Sequence, residues 1–371
     1  MLSNFQTESR MLFYTYWDRF IFYLNTYKDR NELLGFCTSI SKALNELLMT
    51  EGISGGIGVV EIDSSMNKDT DELLKKLLLT SEKSINNNDI NICPCFYGQD
   101  IESEIKREEE IKQVLSRIAN DDEGMLYLEY QPILDLKSNE ICGFEALARL
   151  RTENLGNVTP LEFIPLAEET KLIIPIGQRI VRKALYFLKK LEDAGYKTLS
   201  VSINVSVIEI LSNDFVENLF AAIHEMQVSP ENIGIELTES VFMDNFNEAN
   251  NKLKKLRKAG INVAIDDFGT GYSSLARERE LDVNILKIDK HFIDKLRVTH
   301  PENAITCDII SMAHKLGHLA VAEGVEEKRQ FIYLKEWECD RIQGYFISKP
   351  LSEEGVLEFL REYREVRSLT L

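Results

Sequence analysis

The sequence of 371 residues has few cysteines, and the six that are present follow no pairing pattern. Cys93-Pro94-Cys95 is too short a spacing for a zinc knuckle. A long apolar segment is also missing, because Asp18 and Arg19 interrupt the run between residues 11 and 24. These absences predict a reduced cytoplasmic protein with neither a signal peptide nor a membrane-spanning helix.

Positive charge is scarce as well, since 43 Lys and Arg residues stand against 61 Asp and Glu residues, for a net charge of −18 at pH 7. A nucleic-acid duplex and an anionic membrane are therefore unexpected partners. A small anionic substrate would be repelled at long range, so its binding would require metal ions or a few well-placed Arg and Lys side chains to offset the negative charge at the site. The hydrophobic share of 44% is that of an ordinary globular protein.

Three regions follow one another along the chain. Residues 1–98 predict a small α/β unit, with a strand at 20–24, helices at 31–48 and 69–85, and further strands at 54–62 and 92–97. Residues 99–120 predict a charged linker helix with one apolar stripe, which either docks on its own protein or forms a dimer contact. Residues 121–371 form the third region.

Strand and helix patterns alternate throughout this third region. Strands are predicted at 125–134, 141–150, 199–205, 233–238, 261–266, 283–288, 319–323 and 341–346, and helices at 160–169, 175–194, 208–226, 247–259, 303–316, 326–337 and 352–366. Residues 137–139 predict a hairpin turn, so the first two strands should be antiparallel. This alternation of strands and helices predicts a TIM-type (β/α) barrel.

The segment at 261–274 is the most informative motif of this region. Its apolar strand ends in two adjacent carboxylates, Asp266 and Asp267, followed by Gly269 and Gly271. Side chains alternate across a strand, so both acids can face one cavity only if the chain bends, and glycine permits such a bend. Two acids held together in this way are costly unless a divalent cation lies between them, although a solvated acidic turn would explain this motif taken alone.

Other polar residues stand at the ends of the predicted strands, where the reactive groups of such barrels collect. They are Glu145, Asn204, Glu236, Lys287, Glu323 and Gln343. Separate structural explanations exist: Glu145 could pair with Arg149 on one strand face, and Glu236 and Glu239 could begin an exposed helix. Considered together, the residues favour a divalent-metal site.

The types of ligand atom indicate which metal could bind and which reaction it could support. Oxygen ligands without His or Cys suit Mg²⁺ or Mn²⁺ rather than Zn²⁺, and the five histidines lie mainly in predicted helices and loops. Two hard cations would polarise a phosphodiester and deprotonate a water molecule, which predicts phosphodiester hydrolysis. Lys287 would orient the attacking water, and Arg149 would clamp a phosphate.

Residues 124–364 resemble the EAL-domain cyclic di-GMP phosphodiesterases. The resemblance rests on Tyr130-Gln131-Pro132-Ile133, Glu145-Ala146-Leu147 with Arg149, Asn204-Val205-Ser206, Glu236-Leu237-Thr238-Glu239, Asp266-Asp267-Phe268-Gly269, Lys287-Ile288-Asp289, Glu323-Gly324-Val325-Glu326 and Gln343-Gly344-Tyr345. The resemblance implies hydrolysis of cyclic di-GMP to linear pGpG with two Mg²⁺ or Mn²⁺ ions, inhibition by Ca²⁺, and a homodimer.

The resemblance also implies a role for each matching residue. One metal would be held by Glu145, Asn204, Glu236 and Asp266, and the second chiefly by Asp267 and Glu323 with Asp266 bridging. Lys287 would act with Glu323 in catalysis by positioning the water, and Glu239 would brace the loop after Asp267. The residues that would line the substrate or support the site are Gln131, Leu147, Arg149, Glu326 and Gln343.

The first region is similar to the latter part of a GGDEF (diguanylate cyclase) domain. Tyr16 and Trp17 replace the two signature glycines, and Arg19 replaces an acid expected to bind metal. The first elements of that fold are also missing ahead of Tyr16. The pattern is that of a degenerate, truncated domain without cyclase activity, with a regulatory or dimerising role as a hypothesis.

Two alternatives to the phosphodiesterase remain open. A catalytically silent receptor could bind cyclic di-GMP and signal through the N-terminal region, although such a receptor can lose metal-binding acids and this sequence retains all of them. A barrel phosphodiesterase could also act on a different cyclic dinucleotide.

Overall fold

The computed structural model describes residues 2–15, 19–51, 55–62, 69–85, 92–121, 124–239, 245–269, 280–297 and 304–368. Tyr16, Trp17 and Gly271, on which part of the sequence interpretation depends, lie outside these residues. The chain divides into two compact units, Met1–Glu109 and Glu110–Leu371. The described helices include none with the length and apolar content required to cross a membrane.

Ahead of the linker helix, the described residues of the first unit form two small sheets and two α-helices. A short 3-10 helix at Leu2–Phe5 is followed by β1 (Arg10–Thr15), β2 (Arg19–Leu24), α1 (Arg30–Glu51), β3 (Ile57–Val59), α2 (Thr70–Ile85) and β4 (Pro94–Phe96). β1 and β2 form an antiparallel hairpin, and β3 and β4 pair in parallel. The core of the unit is the face of α1 that carries Leu33, Phe36, Cys37 and Ile40 at helical spacing.

The linker helix α3 (Gln99–Asn120) spans the boundary between the two units. In the part that belongs to the second unit, Ile111, Val114, Leu115 and Ile118 recur every three or four residues and are buried in that unit's core. This stretch of the apolar stripe is therefore docked on its own protein.

The second unit contains a closed barrel, which confirms the predicted fold class. Its strands are β5 (Leu126–Asp135), β6 (Glu140–Thr152), β7 (Gly156–Val158), β8 (Ser200–Asn204), β9 (Ile233–Thr238), β10 (Asn262–Phe268), β11 (Ile285–Ile288), β12 (Leu319–Ala322) and β13 (Arg341–Gln343). β5 pairs with both β6 and β13, which closes the barrel, and β7 pairs only with β6 at its edge. β5 is antiparallel to β6, as the hairpin turn predicted, and it is also antiparallel to β13, which sequence analysis did not predict.

Helices follow most of the barrel strands. They are α4 (Pro160–Glu169), α5 (Ile173–Asp193), α6 (Val207–Leu211), α7 (Phe215–Met226), α8 (Phe246–Lys258), α9 (Lys290–Lys295), α10 (Thr306–Leu316), α11 (Lys328–Glu336) and α12 (Glu353–Ser368), with a 3-10 turn at Pro230–Asn232. The helical pattern predicts most of them, because each buries one apolar face against the barrel.

The predicted continuous helix at 208–226 is wrong. Ser212 takes an extended backbone conformation, with φ −64° and ψ 141°, which ends α6 before α7 begins. Sequence analysis also missed β1, β7 and α9. β7 and α9 have only three and six residues, too few for a hydrophobic period to be visible.

Candidate metal centre

A single buried ammonium group lies at the centre of the candidate site. Lys287, on β11, is 1% exposed, and its Nζ lies 2.5 Å from carboxylate oxygens of both Glu236 and Glu323. The same Nζ lies 3.3 Å from Asp266 and 3.5 Å from Glu145. Side chains from five different strands or strand ends therefore converge at one place.

Glu145 is held by amide groups on both sides. Its Oε1 accepts a hydrogen bond from Asn204 Nδ2 at 2.5 Å, and its Oε2 accepts one from Gln343 Nε2 at 2.6 Å. Gln343 Nε2 also donates to Gln131 Oε1, and Gln131 in turn donates to the Ser348 carbonyl. Gln131 and Gln343 are therefore structural supports of Glu145 in this arrangement.

The position of Glu145 in its strand differs from the prediction. Sequence analysis placed it at a strand exit, whereas β6 continues to Thr152. Glu145 is paired in register with Ser202, two residues before β8 ends at Asn204. Glu145 thus lies near the rim defined by the parallel strands, and β6 extends beyond that rim.

The two adjacent acids are separated by a bend, at a position that sequence analysis did not identify. Asp267 itself has a left-handed backbone, with φ 54°, ahead of Gly269 at φ 94°. The pairing of β10 with β11 shifts register between Ile265 and Phe268. This irregularity removes the strand alternation, so Asp266 and Asp267 contribute to one acidic group.

The loop after this bend is tied to β9. Glu239 is buried and lies directly after β9, and its Oε2 accepts a hydrogen bond from the Gly269 backbone N at 3.3 Å. Glu236 is 3% exposed within β9. The alternative that these two acids begin an exposed helix is therefore wrong.

Burial opposes ionisation of four acids in the cluster, Glu145, Glu236, Asp267 and Glu323. For Glu145 the Lys287 charge and the hydrogen bonds from Gln343 and Asn204 outweigh burial and lower its pKa. For Glu236 burial is the largest effect, and the nearby charges of Glu145 and Asp266 act in the same direction. Together they raise the pKa of Glu236 to about 8, although the Lys287 charge acts to lower it. The cluster therefore holds a proton near neutral pH when no further cation is present.

Glu323 and Asp267 respond to burial as Glu236 does. Burial raises the pKa of Glu323 well above its ordinary value, despite Lys287. Burial and the Asp266 charge raise the pKa of Asp267 to about 6. For Lys287 burial disfavours the ammonium, but the charges of the surrounding acids prevail and raise its pKa.

The donor set fits two divalent cations. Oxygen atoms of Glu145, Glu236 and Asp266 lie within 4.8 Å of one another, and so do those of Asp266, Asp267 and Glu323. The five carboxylates and one ammonium carry a formal charge of −4 when ionised, which two dications would neutralise. The ligand atoms of both groups are carboxylate oxygens, which Mg²⁺ and Mn²⁺ prefer.

The predicted substrate contacts are arranged differently from the metal ligands. Arg149 does not pair with Glu145: its Nε donates to Glu129 Oε2 at 2.7 Å, across the β5–β6 hairpin. Leu147 is half-buried on β6. These two side chains come from the part of β6 that extends beyond Glu145.

Glu326 is bound by two cationic side chains that sequence analysis did not single out. Lys290 and Arg297 each donate to it, the latter at 2.6 Å from Nη2 to Oε2. Their hydrogen bonds are the main reason that the pKa of Glu326 is lowered. The signal for Lys290 was its position three residues after Lys287, at the start of α9.

Comparison with protein families finds the EAL domain over residues 113–350. The signalling protein YkoW of Bacillus subtilis is 42% identical over 236 residues, covering 63% of this chain and 29% of that protein. The cyclic di-GMP phosphodiesterase NbdA of Pseudomonas aeruginosa is 38% identical over 261 residues, covering 70% of this chain and 33% of that protein. The chain thus spans about a third of the length of these curated relatives.

Solved structures share the fold of the second unit. One, described as the PaMucR phosphodiesterase in complex with c-di-GMP, matches with a TM-score of 0.63 and 31% identity. The match covers 67% of this chain and 99% of that structure.

The raised pKa values predict that metal affinity depends on pH. Glu236, with a pKa of about 8, must lose its proton to become a ligand, so affinity should rise as pH rises towards that value. We expect the affinity for Mn²⁺ to increase by at least about tenfold per pH unit from about pH 6 to about pH 8, because Glu323, whose pKa is also raised, must lose its proton as well. Isothermal titration calorimetry in buffers of different ionisation enthalpy would measure both the affinity and the protons released.

A His314→Gln variant provides the control for this measurement. His314 pairs with Asp340 at 2.8 Å, and neither belongs to the acidic cluster. The variant should keep the same pH slope. An affinity that stays constant across this range would contradict the protonation of Glu236.

Proposed function

The chain belongs to the EAL domain family, and from this membership we propose that it is a phosphodiesterase that hydrolyses cyclic di-GMP to linear pGpG with two Mg²⁺ or Mn²⁺ ions. The observation that supports the proposal most is the convergence of five carboxylates around Lys287. The names of the similar phosphodiesterases, one of them solved with c-di-GMP, supply the proposed substrate.

The acidic cluster divides into two proposed metal sites. Glu145, Asn204, Glu236 and Asp266 would hold one ion, and Asp266, Asp267 and Glu323 the other. Bound cations of this kind polarise a phosphodiester and lower the pKa of a water molecule. Glu239 would preserve the bend at Asp267 through its hydrogen bond to Gly269.

Lys287 would act on the attacking water. Its ammonium has three protons, and four carboxylates compete for them in the absence of metal. With these carboxylates serving as metal ligands, Lys287 would keep an N–H group available to hold and orient a water molecule beside Glu323. Arg149, Leu147 and Glu326 would contact the substrate.

One assay separates this proposal from its alternatives. Purified protein is incubated with cyclic di-GMP and Mg²⁺ or Mn²⁺, and pGpG is measured by chromatography. Binding of the dinucleotide without pGpG would support the receptor alternative. Turnover of a different cyclic dinucleotide alone would support the alternative of a phosphodiesterase with another substrate. Ca²⁺ in place of Mg²⁺ should inhibit hydrolysis.

Loss of a metal ligand should remove activity. Replacing Glu145 or Asp266 by Ala deletes a carboxylate that belongs to the acidic cluster. Loss of a residue that only hydrogen-bonds to a metal ligand costs about 10–100-fold in activity, so we expect turnover to fall by at least about 100-fold. Steady-state rates at saturating Mn²⁺ would measure the loss. Glu153 is an exposed acid directly after β6, so Glu153→Ala is the control and should keep the wild-type rate. A wild-type rate in E145A would rule out Glu145 as a metal ligand.

Lys287→Met should separate catalysis from metal binding. Without the ammonium we expect kcat to fall by about 100-fold, the lower end for loss of a proton-handling group, while Mn²⁺ still binds. The variant should also be destabilised without metal, because the facing carboxylates lose their counter-charge, and Mn²⁺ should restore its Tm. Lys295→Met, on the exposed side of α9, is the matched control. An unchanged kcat in K287M would disprove the role.

Residues 1–98 are proposed to be a degenerate GGDEF-like domain with a regulatory or dimerising role. Buried residues of α3 from Ile111 onwards belong to the core of the second unit, so a truncation should begin at Glu110. We expect residues 110–371 to retain hydrolysis with an altered rate or oligomeric state. Equal rates and equal elution in gel filtration for the two forms would remove this role. A homodimer in the cytoplasm remains part of the proposal.

A further inference from the structure

The connection between β8 and α6 determines where the candidate ligand Asn204 lies. Only Val205 and Ser206 separate Asn204 from the first residue of α6. The Val205 backbone N donates to the Glu236 carbonyl at 2.9 Å, which fixes one side of the turn. The Ser206 backbone N donates to Glu209 Oε2 at 2.9 Å, which fixes the other side.

Glu209 forms this hydrogen bond from a buried position. It is 4% exposed and completes a capping box at the start of α6, in which Ser206 Oγ also accepts a hydrogen bond from the Ile208 backbone N. Carboxylates of capping boxes generally lie at helix surfaces, where water solvates them. Burial raises the pKa of Glu209 to about 8, so near neutral pH the group is mainly the uncharged acid.

A glycine in the middle of a neighbouring helix makes room for this carboxyl group. Gly177 is a buried residue of α5, a helix of 21 residues, and Gly is a poor helix former. A β-carbon at position 177 would lie 1.6 Å from Glu209 Oε1. The space that an alanine side chain would occupy is therefore filled by the end of Glu209.

A cavity beside Glu209 offers the carboxyl group an alternative position. Its volume is about 100 Å³, and its lining includes Glu209, Ser212 and Phe215. A side chain displaced from Gly177 could turn into this cavity without unfolding α6. That movement would break the hydrogen bond to Ser206 and release the turn after Asn204.

We propose that Glu209 is a positioning residue of the metal centre: wedged against Gly177, it holds the Ser206 turn and thereby fixes Asn204. Asn204 in turn donates to Glu145 at 2.5 Å, so the effect extends to a second ligand. This inference rests on the proposed function. It concerns the geometry of the metal ligands and requires no contact of Glu209 with substrate.

The test uses the full chain with Mn²⁺ alone as the probe. Glu209→Ala should weaken Mn²⁺ binding by about tenfold, as loss of an outer partner does. The Mn²⁺ affinity of Glu209→Gln should stay within about twofold of the wild-type value, because an amide oxygen can accept the same hydrogen bond from the Ser206 backbone N. Electron paramagnetic resonance measures free Mn²⁺, and kcat and KM are recorded at saturating Mn²⁺, where kcat should recover.

A double-mutant cycle makes the test specific to the Gly177 contact. In the wild-type background Gly177→Ala should weaken Mn²⁺ binding by about tenfold and lower Tm, because the new β-carbon expels Glu209. In the E209A background the same change should leave Mn²⁺ affinity unaltered and raise Tm by roughly 2 °C, since Ala is the better helix former. If E209A does not fold, the other two variants still test the inference. G177A should bind Mn²⁺ about tenfold more weakly than the wild type, whereas E209Q should stay within about twofold of it.

Several results would overturn the inference. A lower Tm in E209A or G177A with unchanged Mn²⁺ affinity would make Glu209 a helix cap only. Mn²⁺ binding by E209Q as weak as by E209A would exclude the hydrogen bond as the cause. If the wild-type chain binds no Mn²⁺ and hydrolyses no cyclic di-GMP, the proposed function itself fails, and the inference with it.

Discussion

The buried charge of Lys287 is the constraint on which the site depends. An ammonium that is 1% exposed is stable only beside opposite charge, and four carboxylates within 3.5 Å supply it. The reverse also holds, because these acids could not ionise together in a buried place without that cation. The raised pKa of Glu236 shows that one ammonium does not suffice. The cluster is thus incomplete in charge, and two divalent ions would complete it.

The barrel meets this constraint through departures from regular parallel strands. The left-handed backbone at Asp267 lets two consecutive acids contribute to one group, which an unbroken strand would forbid. The antiparallel β5 lies between β6 and β13, so Gln131 can bond to Gln343, which in turn holds Glu145. Regular strands supply the rigid frame, and these irregular positions direct the polar groups.

Sequence reasoning predicted the barrel because its strands are short apolar runs separated by amphipathic helices. It also identified the acids that converge, since oxygen donors follow buried strands at Asp266 and Glu323. It could not predict the partner of Arg149, because Glu129 becomes a neighbour only through the register of the β5–β6 hairpin. The contact between Gly177 and Glu209 was equally hidden, since it joins two helices by packing alone.

The charges around the site bear on how an acidic protein could bind an anionic dinucleotide. The cationic side chains described here are already engaged: Lys287 with the cluster and Arg149 with Glu129. Lys290 and Arg297 share Glu326, and Arg297 also pairs with Asp294 and Glu327. None of these contacts leaves a net positive charge for a phosphate, and the chain as a whole carries −18. Under the proposed function, the ions must therefore supply the attraction as well as the chemistry, because a phosphodiester approaching the cluster without them would meet net negative charge. Metal binding would then precede substrate binding.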